Sequence, residues 1–191
     1  MALARLNYKK ENYGEAERYL QKVVDTYKAD LSSEELINLY MQLGESALKL
    51  GHIEQAQKHL KNVVEQEPHN ANALAQIVQV LQAHGDWKGA IGYMEQLLLL
   101  KADDLERYQL QLAIGEIYDQ RLKDRASAAV AYRAALDLGV FPKEPALKLV
   151  ELAVAEQDYV EAIRHLNRLI TIEEEPKRRA QFAFTAAVLY R

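Results

Sequence analysis

The sequence predicts an all-α fold, a solenoid of antiparallel helix pairs with about eleven helices. Three observations predict it. Ala, Leu, Glu, Gln and Lys dominate the composition, and only 4 prolines and 8 glycines interrupt 191 residues. Pro68, Pro142, Pro145 and Pro176 fall where helix pairs should meet, because proline starts a helix readily and blocks its continuation. Apolar residues recur at helical spacing within blocks of roughly 34 residues, each block holding two helices and a turn.

In chain order, a partial block near residues 1–30 has a short first helix, Ala2 to Lys10, and a second helix marked by Tyr13, Ala16, Leu20 and Val23. Ser32 or Ser33 should cap the next helix, and Glu34 and Glu35 in its first turn suit the positive end of the helix dipole. Block 37–70 runs through Tyr40, Leu43, Gly44 and Ala47, breaks at Gly51, resumes with Ile53, Ala56, Leu60 and Val63, and closes at Pro68. Block 71–104 repeats the plan with Leu74, Ile77, Val78 and Leu81, then Gly85 and Trp87, then Ala90, Met94 and Leu97. Block 108–142 carries Ile114, Gly115 and Tyr118, then Ala128, Tyr132 and Ala135, with one extra residue expected in the turn around Leu122 to Arg125. Block 143–176 follows with Leu149, Val150 and Ala153, then Tyr159, Ala162, Leu166 and Leu169. A last partial block, 180–191, supplies only a first helix. The whole chain, 1–191, thus reads as a single array.

A longer period overlies these blocks. Asp86, Ala90, Ile91, Leu97, Arg107, Gln109 and Tyr118 recur as Asp158, Ala162, Ile163, Leu169, Arg179, Gln181 and Tyr190, each 72 residues on. Extra linking residues should lengthen alternate first helices, which then start near Ala102 and Pro176.

Tyr40-x-x-Leu43-Gly44-x-x-Ala47, Ala56 and Pro68 resemble the signature of the tetratricopeptide repeat family, a helix–turn–helix unit of about 34 residues. The resemblance covers essentially the whole chain and implies a right-handed superhelix. A small residue at the closest approach of two helices lets their axes come near, so Gly44 is expected to face Ala56. The pattern buries Tyr40, Tyr118, Tyr132, Tyr159 and Tyr190, and leaves Tyr19, Tyr93 and Tyr108 less constrained. A helical stripe cannot bury all of Leu97 to Leu100, so Leu99 should be exposed.

Several function classes find no support in the residues. The four serines, Ser32, Ser33, Ser46 and Ser127, lie outside any nucleophile motif, and no glycine loop ends in the phosphate-binding Gly-Lys-Ser/Thr. With no cysteine and no His-x₃-His pair, no metal site is expected, and no catalytic or cofactor-binding residue is assigned. A formal net charge of −4 argues against nucleic acid. No apolar run spans a membrane, and the segment reads as cytoplasmic by default, with no direct membrane contact.

The family resemblance implies a concave face lined by first helices and open to a peptide or helix from another protein. Carried over position by position, that face comprises Asn38, Met41, Gln42, Glu45 and Lys49, then Asn72, Gln76, Gln79 and Gln82. It continues with Gln109, Leu112, Glu116, Asp119 and Gln120, then Glu144, Leu147, Lys148 and Glu151. The family's lysine, asparagine and arginine clamp for a chaperone's terminal carboxylates is missing, since the comparable positions include Met41, Glu45, Gln76, Gln109 and Ala113. The expected function is therefore a protein–protein interaction scaffold, not an enzyme. The last helix ends in an apolar run without the polar outer face of a cap, so the chain reads as a fragment of a longer array. The alternative is a structural array that self-associates into a homo-oligomer.

Overall fold

The computed structural model describes residues 2–190. Among them are eleven α-helices and no strand. They are α1 (Ala2–Lys9), α2 (Tyr13–Tyr27), α3 (Ser33–Leu50), α4 (Ile53–Gln66), α5 (Ala71–His84), α6 (Trp87–Leu100), α7 (Asp104–Glu116), α8 (Arg125–Asp137), α9 (Lys143–Ala155), α10 (Tyr159–Ile172) and α11 (Pro176–Leu189). The contacts divide them into two compact units, residues 1–100 with α1–α6 and residues 101–191 with α7–α11. In the first unit α1/α2, α3/α4 and α5/α6 pack as pairs, and α2/α3 and α4/α5 join one pair to the next. In the second unit α7/α8 and α9/α10 pair, α8 joins α9, and α11 packs on α10.

Short turns fold each pair back on itself, and their hydrogen bonds follow one scheme. At the α3–α4 turn the Gly51 amide donates to the Leu48 carbonyl at 3.1 Å and the His52 amide to Ala47 at 2.8 Å, the reciprocal pair that closes a helix end around a left-handed residue. Gly85, with Asp86 donating to Leu81, repeats it at the α5–α6 turn. Gln157 occupies the same place in the α9–α10 turn at a φ of 61°, where a side chain crowds the backbone. Gln157→Gly should therefore stabilise the second unit by about 0.5–1 kcal/mol. The check is the denaturation midpoint, and a lower midpoint would contradict the assignment.

The α7–α8 connection differs, and the extra residue lies elsewhere than expected. The turn itself is regular: Lys123 takes the left-handed position and Asp124 caps α8 through the Ser127 amide at 3.1 Å. The extra residue is absorbed one turn earlier, where Ile117–Leu122 winds as a π-helix and the Asp124 amide reaches back to Tyr118. Ser32 caps α3 with a reciprocal box to Glu35, and α11 starts at Pro176 as expected. α7 begins at Asp104 behind an Asp103 cap, later than the expected Ala102, because the Asp103 carboxylate takes the Glu106 amide and sets the boundary.

Each second helix carries an alanine at its fourth residue. Ala16, Ala56, Ala90, Ala128 and Ala162 are all 0% exposed. Glycine provides close approach at two crossings, and the side chain nearest Gly44 is that of Leu60. A Cβ there would stand 2.6 Å from the Leu60 Cγ, and one on Gly115 would stand 2.5 Å from the Tyr132 Cε1. Leu20, Leu43, Leu60, Ile77 and Leu81 fill the first core, and Tyr132, Leu136, Leu166 and Leu169 the second.

Leu99 is 86% exposed at the end of α6, as expected of the leucine run. The tyrosines are sorted differently from the expectation. Tyr40 and Tyr132 are buried, but Tyr159 is 44% exposed and Tyr190 79% exposed. Tyr159 opens its helix, a rim position held in other pairs by Tyr13, Ile53, Trp87 and Arg125, none of which is fully buried. Tyr190 follows the last residue of α11, whose Phe184 and Val188 are also exposed. Tyr108, expected to be unconstrained, is buried at 3%.

Candidate partner-binding face

In the first unit, helical spacing places Asn38, Met41, Gln42, Glu45 and Lys49 along one side of α3, and Asn72, Gln76, Gln79 and Gln82 along one side of α5. α3 touches α5 directly, so the two rows adjoin. Asn38, Lys49, Asn72 and Gln79 are exposed, and Met41, Gln42, Glu45, Gln76 and Gln82 are half-buried. Met41 packs its thioether on the core. The side-chain carbonyl oxygens of Gln42 and Gln76, at the same repeat position, are both enclosed without a hydrogen-bond partner. Glu45 is committed inside the protein, because the Tyr8 hydroxyl of α1 donates to its carboxylate.

In the second unit Gln109 is exposed on α7, Leu112 is half-buried against the core and Glu116 is half-buried. Asp119 and Gln120 follow on the π-helical stretch, which rotates them relative to a regular helix. On α9 Glu144, Leu147 and Glu151 are exposed, and Lys148 pairs with Glu151 at 3.5 Å. Glu144 accepts a 2.8 Å hydrogen bond from the Tyr108 hydroxyl of α7, and the Tyr108 ring meets Phe141 edge to face at 5.6 Å.

Each unit thus ties neighbouring first helices together with one tyrosine–carboxylate bond. Burial first, and then the adjoining carboxylate, hold both phenols well above their usual range, so they stay neutral donors. These ties are absent from the sequence reading, because nothing in a single chain marks which tyrosine will meet a carboxylate 36 or 37 residues on. The two faces also differ in charge. That of the first unit has one acid, Glu45, and one base, Lys49, among amides, whereas that of the second has Glu116, Asp119, Glu144 and Glu151 against Lys148 alone.

Among the described residues, no group of three or more His, Cys, Asp or Glu could hold a metal ion, and no helix is long and apolar enough to cross a membrane.

Stacked antiparallel helix pairs with a polar row along their first helices define a class: a helical-repeat solenoid. A tetratricopeptide repeat family model matches residues 47–114. Among curated proteins it is similar to lipopolysaccharide assembly protein B of Escherichia coli, 24% identical over 151 residues that make up 77% of this chain and 38% of that protein. The chain therefore spans well under half the length of that relative. Among solved structures, a tetratricopeptide repeat protein from Parabacteroides merdae matches with a TM-score of 0.62 and 19% identity, over 98% of this chain and 69% of that one. MamA from Desulfovibrio magneticus matches with a TM-score of 0.58 and 20% identity, over 90% of this chain and 91% of that one. At these identities the solved structures establish the fold.

Proposed function

We propose that the protein is a non-catalytic scaffold that receives a segment of another protein along the first-helix face of each unit, the side that the repeat resemblance implies is concave. The observation that carries this reading is the repetition of Asn38 and Gln42 as Asn72 and Gln76 on the adjoining helix, with both asparagines exposed. Amides supply donors and acceptors together, so a regular row of them suits the alternating amides and carbonyls of a bound chain. The acidic row of α7 and α9 favours basic side chains in a segment bound to the second unit. Likeness to a protein named for lipopolysaccharide assembly fits a part played in building a larger structure.

Selection from a random peptide library on the purified protein tests this reading. Enriched peptides should lose at least tenfold in affinity, about 1.4 kcal/mol, to an Asn72→Lys/Gln79→Lys variant whose helical circular dichroism is unchanged. Basic residues in those peptides should lose their enrichment when Glu116→Lys/Glu151→Lys is used. Peptides that bind the wild type and both variants equally would move the site off these faces.

Self-association is the second reading, favoured by exposed Leu3 and Leu6 on α1 and Phe184 and Val188 on α11. Light scattering over a concentration series distinguishes it, because a mass fixed at one chain contradicts it.

A further inference from the structure

We propose that His59 and His165 are matched acid-sensitive positions, one in each unit, that hold the second helices α4 and α10 against their neighbours only while their rings are neutral. Both occupy the same repeat position, in Ala56-x-x-His59-Leu60 of α4 and Ala162-x-x-His165-Leu166 of α10, between a fully enclosed alanine and a buried leucine.

His59 is 7% exposed and stacks on the Tyr40 ring of α3, with centroids 6.0 Å apart and planes 25° from parallel. Its Nδ1 has no partner. The ring borders a cleft of about 410 Å³ that α2 and α4 share. The charged groups facing it are Glu17 and Asp25 of α2, Lys28 just beyond α2, and Lys58 of its own helix, while α3 contributes the uncharged Tyr40. Both acids are already engaged: Glu17 holds the Nδ1 of His52 at 3.0 Å, and Asp25 takes the Gln21 amide at 2.7 Å.

His165 sits deep among α8, α9 and α10, with its side chain 12% exposed. Arg133 of α8, Glu156 just beyond α9, Asp158 in the turn, and Glu161, Arg164 and Arg168 of its own helix surround it. Its Nε2 stands 3.6 Å from Glu161, but Arg164 holds that same carboxylate at 2.8 Å.

Burial is the first cause that lowers the pKa of both rings, aided by Lys58 at His59 and by the three guanidiniums at His165. A histidine whose folded pKa lies below its unfolded value adds stability that is fully present above the unfolded value, about 6.5, and is lost as pH falls through the folded value. Protonation would therefore place a buried charge at each ring, beside carboxylates, Glu17 and Asp25 at His59 and Glu161 at His165, that are already shared with other groups.

The substitutions His59→Tyr and His165→Tyr are natural tests, because Tyr19 and Tyr93 fill the same position in α2 and α6. Chemical denaturation at pH 7.5 and 5.5 should show the wild type losing folded-to-unfolded ratio as pH falls, by at most about tenfold per histidine per pH unit. The double variant should lose less. Histidine NMR titration of the wild type, which needs no variant to fold, should give both rings midpoints below the ordinary value of about 6.5. A midpoint at or above that value for either ring, or an equal acid loss in the double variant, would overturn the pairing.

Discussion

Tyr132→Ala is expected to cost the second unit about 3–5 kcal/mol, as deletion of a fully enclosed aromatic ring does. The ring is 0% exposed, anchors the second-unit core and fills the space left by Gly115. Its hydroxyl contributes nothing comparable, because the phenolic oxygen is buried without a partner. Burial, followed by the fields of Asp119, Glu116, Glu151 and Glu144, raises its pKa and keeps it neutral. Tyr132→Phe removes that unpaired group and keeps the ring, so it should range from neutral to about 1 kcal/mol more stable. Urea denaturation of the two variants separates ring from hydroxyl. If phenylalanine proves as damaging as alanine, the hydroxyl has a partner and the packing described for this core is wrong.

The second large effect is expected at Gly44. A Cβ would stand 2.6 Å from the Leu60 Cγ, well inside van der Waals contact, and Leu60 has no exposed side on which to retreat. Gly44→Val should destabilise the first unit by about 1–3 kcal/mol through overpacking. Leu60→Ala in the same chain should restore part of that loss, because the two changes share one space and cannot be additive. Gly92 is the control. It lies inside α6 with nothing within 4 Å of a new Cβ, so Gly92→Ala should gain about 0.5–1 kcal/mol from helix propensity. A destabilising Gly92→Ala, or a neutral Gly44→Val, would place the helix pairs at other spacings than those described.

These packing positions were the legible part of the sequence. The five enclosed alanines, the breaks at Gly51 and Gly85, the Ser32 cap and the proline at the start of α11 each have a local physical requirement that a residue type satisfies alone. Partnerships between distant residues were not legible. Nothing local tells Tyr108, which is buried and bonded to Glu144, from Tyr159, which sits at a helix rim. The position of the extra residue was hidden because a turn and a π-helical stretch absorb one residue equally well in a pattern count, and only the reach from Asp124 to Tyr118 distinguishes them. The shared Ala-x-x-His-Leu string marks His59 and His165 as equivalent positions, although nothing local shows that either ring is enclosed.

The candidate face rests on position within the repeat, and position says nothing of availability. Every one of its residues retains some exposure, yet Glu45 and Glu144 are partly spent on tyrosines, and Lys148 and Glu151 on each other. What remains open to a partner is mainly the amide row of the first unit and Glu116, Asp119, Gln109 and Gln120 in the second.

Chemical-shift mapping with a selected peptide is the most direct test of that face. Side-chain amide resonances of Asn38, Gln42, Asn72 and Gln76 should move together on titration, while those of Asn62 on α4 and Gln96 on α6 stay fixed. Shifts confined to the second helices, with the Asn38 to Gln76 row unmoved, would contradict the account.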